Sequence, residues 1–383
     1  MAIDGAIAEI RDVDPRGVQQ QGIDLGFDNR IVDKIFHRAL VLVQRFNDQN
    51  LVVDLFHTLN TTHQLACAGL GFGVFDGTSQ HHVLFVHIRP DGDDVVDHLV
   101  EASLMGIDSH GVVRYVMYVE ECLQQRIRPG APITIERETP GLLVVDGGNN
   151  FGQVGAYRMV EEVQRKVVDT GIAFAVSRRC HHVGRLGAYP QKLAEAGLFA
   201  FAVANSHAAG HFVVPWGGRE GRLATNPLAW AAPAKDHPVL LDMSTSMTPE
   251  GKVRTALHAG EQVPEGSIID AQGQPTTDPA EFYGPPRGAI LPFGSDLGYR
   301  GFGLALLVEI LGSTIAGEEL TDSFRYVNGF GLLAIDAGGL AGDRQRFASL
   351  VDALSAYMTD TPPAPGHEEV IMPGTREFRR LAE

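Results

Sequence analysis

Residues 152–204 read GQVGAYRMVEEVQRKVVDTGIAFAVSRRCHHVGRLGAYPQKLAEAGLFAFAVA. Gly152 to Thr170 reads as a long helix, and the apolar run Ile172 to Val176 as a buried strand. Leu186 to Ala196 is again helical, and Leu198 to Ala204 is a second strand. This alternation of strand and helix predicts an α/β core.

Upstream, Asp94 to Met105 reads as an amphipathic helix with Val95, Val96, Leu99 and Leu104 on one side. A polar turn, Ile107-Asp108-Ser109-His110-Gly111, follows it. Val112 to Gln125 is expected as a second helix, ended by Arg128-Pro129-Gly130, with strands near Ile133–Glu136 and Leu142–Val145. Downstream, Ala208 to Pro292 is dense in Gly and Pro, which marks loops held in defined turns. It contains Pro215-Trp216-Gly217-Gly218, Thr225-Asn226-Pro227 and the strand Val239 to Asp242. Gly301 to Ala316 is a strongly apolar helix, Phe330 to Ile335 a late strand and Arg344 to Tyr357 a late helix.

The texture changes near residue 90. Before it Lys34 is the only lysine, while His37, His57, His63, His81, His82 and His87 crowd the segment. Its apolar runs have neither helical nor strand rhythm. Residues 1–89 are expected to be an atypical amino-terminal extension or upstream sequence joined by a misplaced start, and the second is preferred.

The chain has 383 residues, enough for a large core, and a net charge of −16 without a long basic run. Bulk affinity for nucleic acid or an anionic membrane is therefore not expected. A small anionic substrate still is, because one arginine in a pocket outweighs a distant, screened net charge. The three cysteines are odd in number and widely spaced, which suits a reducing compartment rather than a disulfide framework. The first 25 residues lack the charged start and apolar run of a secretory signal, and no apolar stretch of bilayer-spanning length is read. The expected location is the cytoplasm.

Four clusters carry chemistry. His110, Arg114 and Tyr118 stand at i, i+4 and i+8, which on one helix would share a face. Arginine can hold a carboxylate bidentately, and histidine can move a proton near neutral pH. The alternative is a solvated polar face. Arg178-Arg179-Cys180-His181-His182-Val183-Gly184 follows a core strand, a favoured place for ligands, though its histidines could equally cover the strand end. In Asn205-Ser206-His207-Ala208-Ala209-Gly210-His211, the histidine spacing could hold a metal on a helix, but Gly210 disfavours one. Small residues there could instead admit a cofactor phosphate or ribose. Gly298-Tyr299-Arg300-Gly301 opens the apolar helix as an anion site or as simple close packing. The G-x-G-x-x-G fingerprint of a Rossmann domain is absent.

From about Pro90 onward the chain resembles the malate/L-lactate dehydrogenase family, which lacks a Rossmann fold. The resemblance rests on Leu104-Met-Gly-Ile-Asp-Ser-His-Gly111, Val145-Asp-Gly-Gly148, His182-Val-Gly184, Pro215-Trp-Gly-Gly-Arg-Glu220, Thr225-Asn-Pro227, Leu241-Asp-Met-Ser-Thr245, Pro264-Glu-Gly266, Pro275-Thr-Thr-Asp-Pro279 and Gly301-Phe-Gly-Leu-Ala-Leu306. They stand in the family's order over about three quarters of the chain. Relatives include sulfolactate, ureidoglycolate and diketogulonate oxidoreductases.

The resemblance implies a mixed-sheet α/β fold over residues 90–383. A helical lobe would take about 90–130 and 300–383, and a discontinuous nucleotide-binding lobe about 131–299. It implies a homodimer that transfers a hydride between NADH or NADPH and a 2-oxo acid, with no resident metal. Ser109 and His110 match the family's active-site pair, Arg114 and Tyr118 its substrate-side positions, and His182 a second candidate acid/base. Ser206, Leu240, Leu241, Asp242, Arg300 and Gly301 match cofactor-side positions. Residues before Pro90 depart from the family's first helix, and Cys180 stands where a smaller residue is usual. Arg185 also departs from the pattern. It is expected either to add a second cation that favours a dicarboxylate or sulfonated substrate, or to lie on the surface. Two rival functions remain: a metal-dependent hydrolase using His181, His182, His207 and His211, and an inactive nucleotide-binding relative.

Overall fold

The computed structural model describes residues 54–57, 70–74, 82–86, 92–206, 210–317 and 327–383. The reading of residues 1–89 lies outside the described residues except for three short strands. These are β1 (Asp54–His57), β2 (Leu70–Val74) and β3 (His82–Val86), which form a small sheet of their own in that order.

In the compact unit that holds residues 86–383, α1 (Gly92–Leu104) buries Val95, Leu99 and Ala102, a helical spacing. Two 3-10 turns, Asp108–His110 and Val112–Arg114, then lead into α2 (Tyr115–Leu123). The single helix expected over Val112–Gln125 is thus broken at its start, and His110, Arg114 and Tyr118 do not share one helical face. Gly111 between the turns is extended, with φ −90° and ψ −152°. It packs so closely on Ser103 that a Cβ would collide with the Ser103 hydroxyl. Ser103 Oγ in turn accepts the Val112 N–H at 3.1 Å. Docking on α1 redirects the chain where local propensity would continue it.

The main sheet has seven strands in the order β4-β5-β6-β13-β7-β8-β9, where β13 is the late strand Phe330–Ile335. Its early members are β4 (Thr134–Glu138), β5 (Leu142–Asp146), β6 (Ile172–Arg178), β7 (Phe199–Ala204), β8 (Leu228–Ala232) and β9 (Val239–Met243). Helix α3 (Gly152–Thr170) joins β5 to β6, the one parallel pair, and α4 (Ala188–Glu195) joins β6 to β7. Helix α3 buries Ala156, Met159, Val160, Val163 and Val167 against the sheet. It stops at Gly171, whose φ of 71° suits a left-handed cap.

After β9 come α5 (Glu250–Ala259), the short strands β10 (Ile268–Ile269) and β11 (Pro275–Thr276), α6 (Pro279–Tyr283) and β12 (Ala289–Ile290). The three short strands form a second small sheet. Helix α7 (Tyr299–Gly312) precedes β13 (Phe330–Ile335), and α8 (Gly338–Ala341), α9 (Arg344–Thr359) and α10 (Thr375–Ala382) close the chain. Strand β13 lies between β6 and β7, antiparallel to both. The sheet therefore takes a central strand from the segment expected in the helical lobe. On β7 and β13, Ala200, Ala202, Ala204, Phe330, Leu332 and Ala334 face α3 and α4 with the period of two that a strand imposes. Val203 on the opposite face packs with Val308 of α7.

By length and composition, Tyr299–Ala316 could cross a membrane, which the sequence reading did not anticipate. In this fold the segment covers a sheet face. Its Glu309 is buried and accepts from Asn205 Nδ2 at 2.5 Å and Asn226 Nδ2 at 2.7 Å.

Candidate active site

The 3-10 turn after α1 holds Ser109 and His110 side by side, with Ser109 Oγ 2.9 Å from His110 Nδ1. Arg114 Nε donates to the Ser109 carbonyl at 2.5 Å and fixes the corner. The His110 ring stacks on His182, with centroids 5.4 Å apart and planes at 18°. Ser109, His110, Arg114, Tyr118 and His182 therefore do form one cluster, through a turn and a contact between residues distant in sequence instead of a helix face.

A relay fixes His182. Gln153 Nε2, at the start of α3, donates to the Tyr118 hydroxyl at 2.6 Å, and that hydroxyl lies 2.8 Å from His182 Nδ1. The Gly184 N–H also donates to His182 Nδ1 at 3.3 Å. An amide N–H can only donate, so the phenol oxygen accepts from Gln153 and its O–H donates to Nδ1. His182 consequently carries its proton on Nε2. Burial drives its pKa well below the usual imidazole value, and His110 and Arg114 add to the effect. Burial, then the Arg114 cation, brings His110 down to about 4. Burial also raises the Tyr118 phenol, so it stays a hydroxyl. At neutral pH the free site thus presents two neutral imidazoles beside one guanidinium.

The first turn of α5 closes another side. A Cβ on Gly251 would touch Ser109 at 3.8 Å. Glu250 there accepts from Arg254 at 2.7 Å and from the Tyr283 hydroxyl at 2.7 Å.

Sequence reasoning missed His98 and Gln153. His98 is buried on α1. Its Nε2 accepts the Arg185 N–H at 2.7 Å, and its Nδ1 lies 3.2 Å from the Tyr157 hydroxyl. Its helical periodicity placed it beside the core but gave no sign of a partner 87 residues away. Arg185 meets neither expectation. It is buried, with Nη2 2.5 Å from Glu101 Oε1 and 3.0 Å from Gln191 Oε1, so it is neither a free cation nor a surface residue.

The cofactor-side residues are placed more diversely. Asp242, next to last in β9, has a carboxylate whose Oδ2 accepts the Gly187 N–H at 2.7 Å, and burial raises its pKa above the usual carboxylate value. Leu240 is buried with Ala194, Ala231 and Phe378, and its N–H bonds the Pro373 carbonyl. Leu241 packs with Val203, Leu228 and Val308. Ser206 presents its carbonyl to His211 Nε2 at 3.1 Å. Arg300 is exposed over the Tyr299 ring, 5.7 Å from its centroid. Gly301 is buried so tightly on the Phe293 backbone that a Cβ would collide, which is the close-packing reading.

The histidines of the rival metal site face different partners. His181 Nε2 bonds the Arg126 carbonyl at 2.7 Å, His182 bonds Tyr118, and His211 bonds Ser206; His207 lies outside the described residues. Cys180 is buried, and burial pushes its thiol up to about 12, which removes nucleophilic character.

Comparison with known proteins gives a family. The malate/L-lactate dehydrogenase family matches residues 89–383. An L-lactate dehydrogenase from Cupriavidus necator is 35% identical over 299 residues, covering 76% of this chain and 84% of that protein. A malate dehydrogenase from Pyrococcus horikoshii is 39% identical over 231 residues, covering 59% of this chain and 63% of that one. The solved sulfolactate dehydrogenase of Methanocaldococcus jannaschii superposes with a TM-score of 0.69 at 32% identity, over 76% of this chain and 84% of that one. The chain belongs to the malate/L-lactate dehydrogenase family.

Proposed function

We propose that this chain is an oxidoreductase that moves a hydride between a nicotinamide coenzyme, NADH or NADPH, and a small 2-oxo acid of the malate, lactate, sulfolactate or ureidoglycolate type. The observation that carries the reading is the stacked His110–His182 pair beside the Arg114 guanidinium. A carboxylate held by Arg114 would bring the adjacent C2 oxygen toward the two imidazoles. His110 is the proton donor in reduction and the acceptor in oxidation. His182, with its proton held on Nε2 by the Tyr118 relay, donates a hydrogen bond to the same oxygen. An anionic substrate also offsets the Arg114 charge that depresses His110, so binding itself favours the protonated acid.

The donor set suits a dinucleotide. Asp242 would offer ribose hydroxyls a carboxylate already oriented by the Gly187 N–H, and Arg300 offers an exposed guanidinium for phosphate at the start of α7. When bound, the coenzyme supplies the hydride for C2. Residues 131–299 would hold most of the nucleotide site. A homodimer is the proposed form, supported by Leu304, Leu306, Leu307 and Ile310, which stand exposed on α7. The cytoplasm is the proposed location, in keeping with free thiols at Cys122 and Cys180.

The test is a set of 2-oxo acids, ureidoglycolate and cyclic imines assayed with both reduced and oxidised coenzymes. Coenzyme-dependent turnover of a 2-oxo or 2-hydroxy acid is expected. Activity that needs zinc and no coenzyme would overturn the reading.

A further inference from the structure

The loop His182–Gly187 joins two parts of the site. It begins at the imidazole stacked on His110 and ends at the N–H that Asp242 accepts. Between them, α1 grips it twice. His98 Nε2 accepts the Arg185 N–H at 2.7 Å, and Glu101 takes the Arg185 guanidinium at 2.5 Å. His98 and Glu101 stand at i, i+3 and so share a face of α1. Gly184 gives the loop both its positive φ of 72° and its close approach, since a Cβ there would collide with His98. His98 also stacks on Tyr189, 5.6 Å away, whose hydroxyl donates to the Val183 carbonyl. His98 thus contacts the loop backbone directly and through Tyr189.

We propose that His98 is a positioning residue, which with Glu101 holds the 182–187 loop as one piece and so sets the His182 imidazole and the Asp242 carboxylate together. The site that orients substrate and the site that receives coenzyme are then not independent: a disturbance on α1 reaches both. For His98 Nε2 to accept, the ring proton must sit on Nδ1, where it donates to the Tyr157 oxygen. Only a group with an acceptor at the Nε2 position can replace it. Glutamine fits that demand, because its amide oxygen stands about as far from the backbone as Nε2. Leucine fills similar space and accepts nothing.

The inference rests on the oxidoreductase reading for its functional half and on the fold alone for its structural half, and the test separates them. His98→Leu, His98→Gln and Glu101→Gln are compared with the unaltered protein. Amide hydrogen exchange is read across 182–187, reduced-coenzyme affinity by its fluorescence, and kcat with the best 2-oxo acid. For His98→Leu, exchange at the Arg185 amide should quicken about tenfold or more, and kcat and coenzyme affinity should each fall by about tenfold. His98→Gln should recover most of both, which a simple loss of packing would not explain. Loop exchange, affinity and kcat all unchanged in His98→Leu would overturn the proposal, as would His98→Gln falling as far as leucine. If His98→Leu does not fold, Glu101→Gln decides: affinity and kcat falling together support the coupling, and either one unchanged refutes it. A chain that binds no coenzyme refutes the oxidoreductase reading instead, while loop exchange still decides whether His98 holds the loop.

Discussion

Replacing Tyr118 with Phe removes one oxygen from the centre of the site. The residue is only 3% exposed, and its ring packs with Val95, Leu99, Ile127 and Val154, so phenylalanine keeps the apolar contacts. What disappears is the hydroxyl between Gln153 Nε2 at 2.6 Å and His182 Nδ1 at 2.8 Å. Gln153 is fully buried and its Oε1 has no partner, so the variant leaves the amide with both ends unsatisfied. A buried donor stripped of its acceptor costs about 1–3 kcal/mol, and about 2 kcal/mol is expected here. For a chain of this size that lowers Tm by roughly 2–3 °C. His182 keeps only the 3.3 Å contact from the Gly184 N–H, so its ring orientation and tautomer are less firmly set. We expect kcat for the 2-oxo acid to fall by about 10- to 100-fold, with KM changed far less. Thermal unfolding and steady-state oxidation of reduced coenzyme measure the two effects. Adding Gln153→Met should return part of the lost stability, because both unpaired polar groups are then gone. A Tyr118→Phe protein with unchanged Tm and kcat, or a double variant weaker by the sum of the single losses, would refute the relay.

Arg114→Gln should cost about 2–3 kcal/mol of carboxylate binding, or roughly 30- to 150-fold in kcat/KM, while coenzyme affinity stays constant; equal losses in both would remove Arg114 from the substrate side. Acid should destabilise the protein through His98, whose pKa burial and Arg185 bring down to about 3. Its neutral form is favoured in the fold, so stability is intact above the unfolded value near 6.5 and is lost between there and about 3, at about 1.4 kcal/mol per pH unit. Denaturant midpoints from pH 7 to 4 check this, and His98→Gln should flatten the slope; an unaltered slope would put the acid sensitivity elsewhere. His110, at about 4 in the free protein, predicts that kcat/KM for reduction rises as pH falls from 8 toward 5, while that for oxidation is flat over the same range. The opposite trend in reduction would exclude His110 as the acid.

Much of the core was legible because its signals are local. Helix Gly152–Thr170 and strand Phe330–Ile335 fall where apolar spacing puts them, and the helix stops at Gly171, a residue that takes the left-handed cap without strain. The insertion of β13 between β6 and β7 was not legible, since nothing in a strand's own residues names its neighbours. The site cluster was found for a partly wrong reason. His110, Arg114 and Tyr118 were joined by helical spacing, yet Gly111 breaks the helix against Ser103, and His182 restores the cluster from the far end of β6. Arg185 misled because its charge is visible in sequence while Glu101, which neutralises it, stands 84 residues earlier. His98 and Gln153 were silent for the same reason: a buried polar side chain shows its role only through its partner.

The most direct test of hydride transfer at the His110–His182 pair uses His110→Ala and His182→Ala beside the unaltered protein. Single-turnover oxidation of reduced coenzyme by the preferred 2-oxo acid is followed in each. The predicted result is coenzyme-dependent turnover in the unaltered protein, a loss of about 10²- to 10⁴-fold in His110→Ala, a smaller loss in His182→Ala, and coenzyme affinity retained in His110→Ala. Near-normal single-turnover rates in both variants would contradict it.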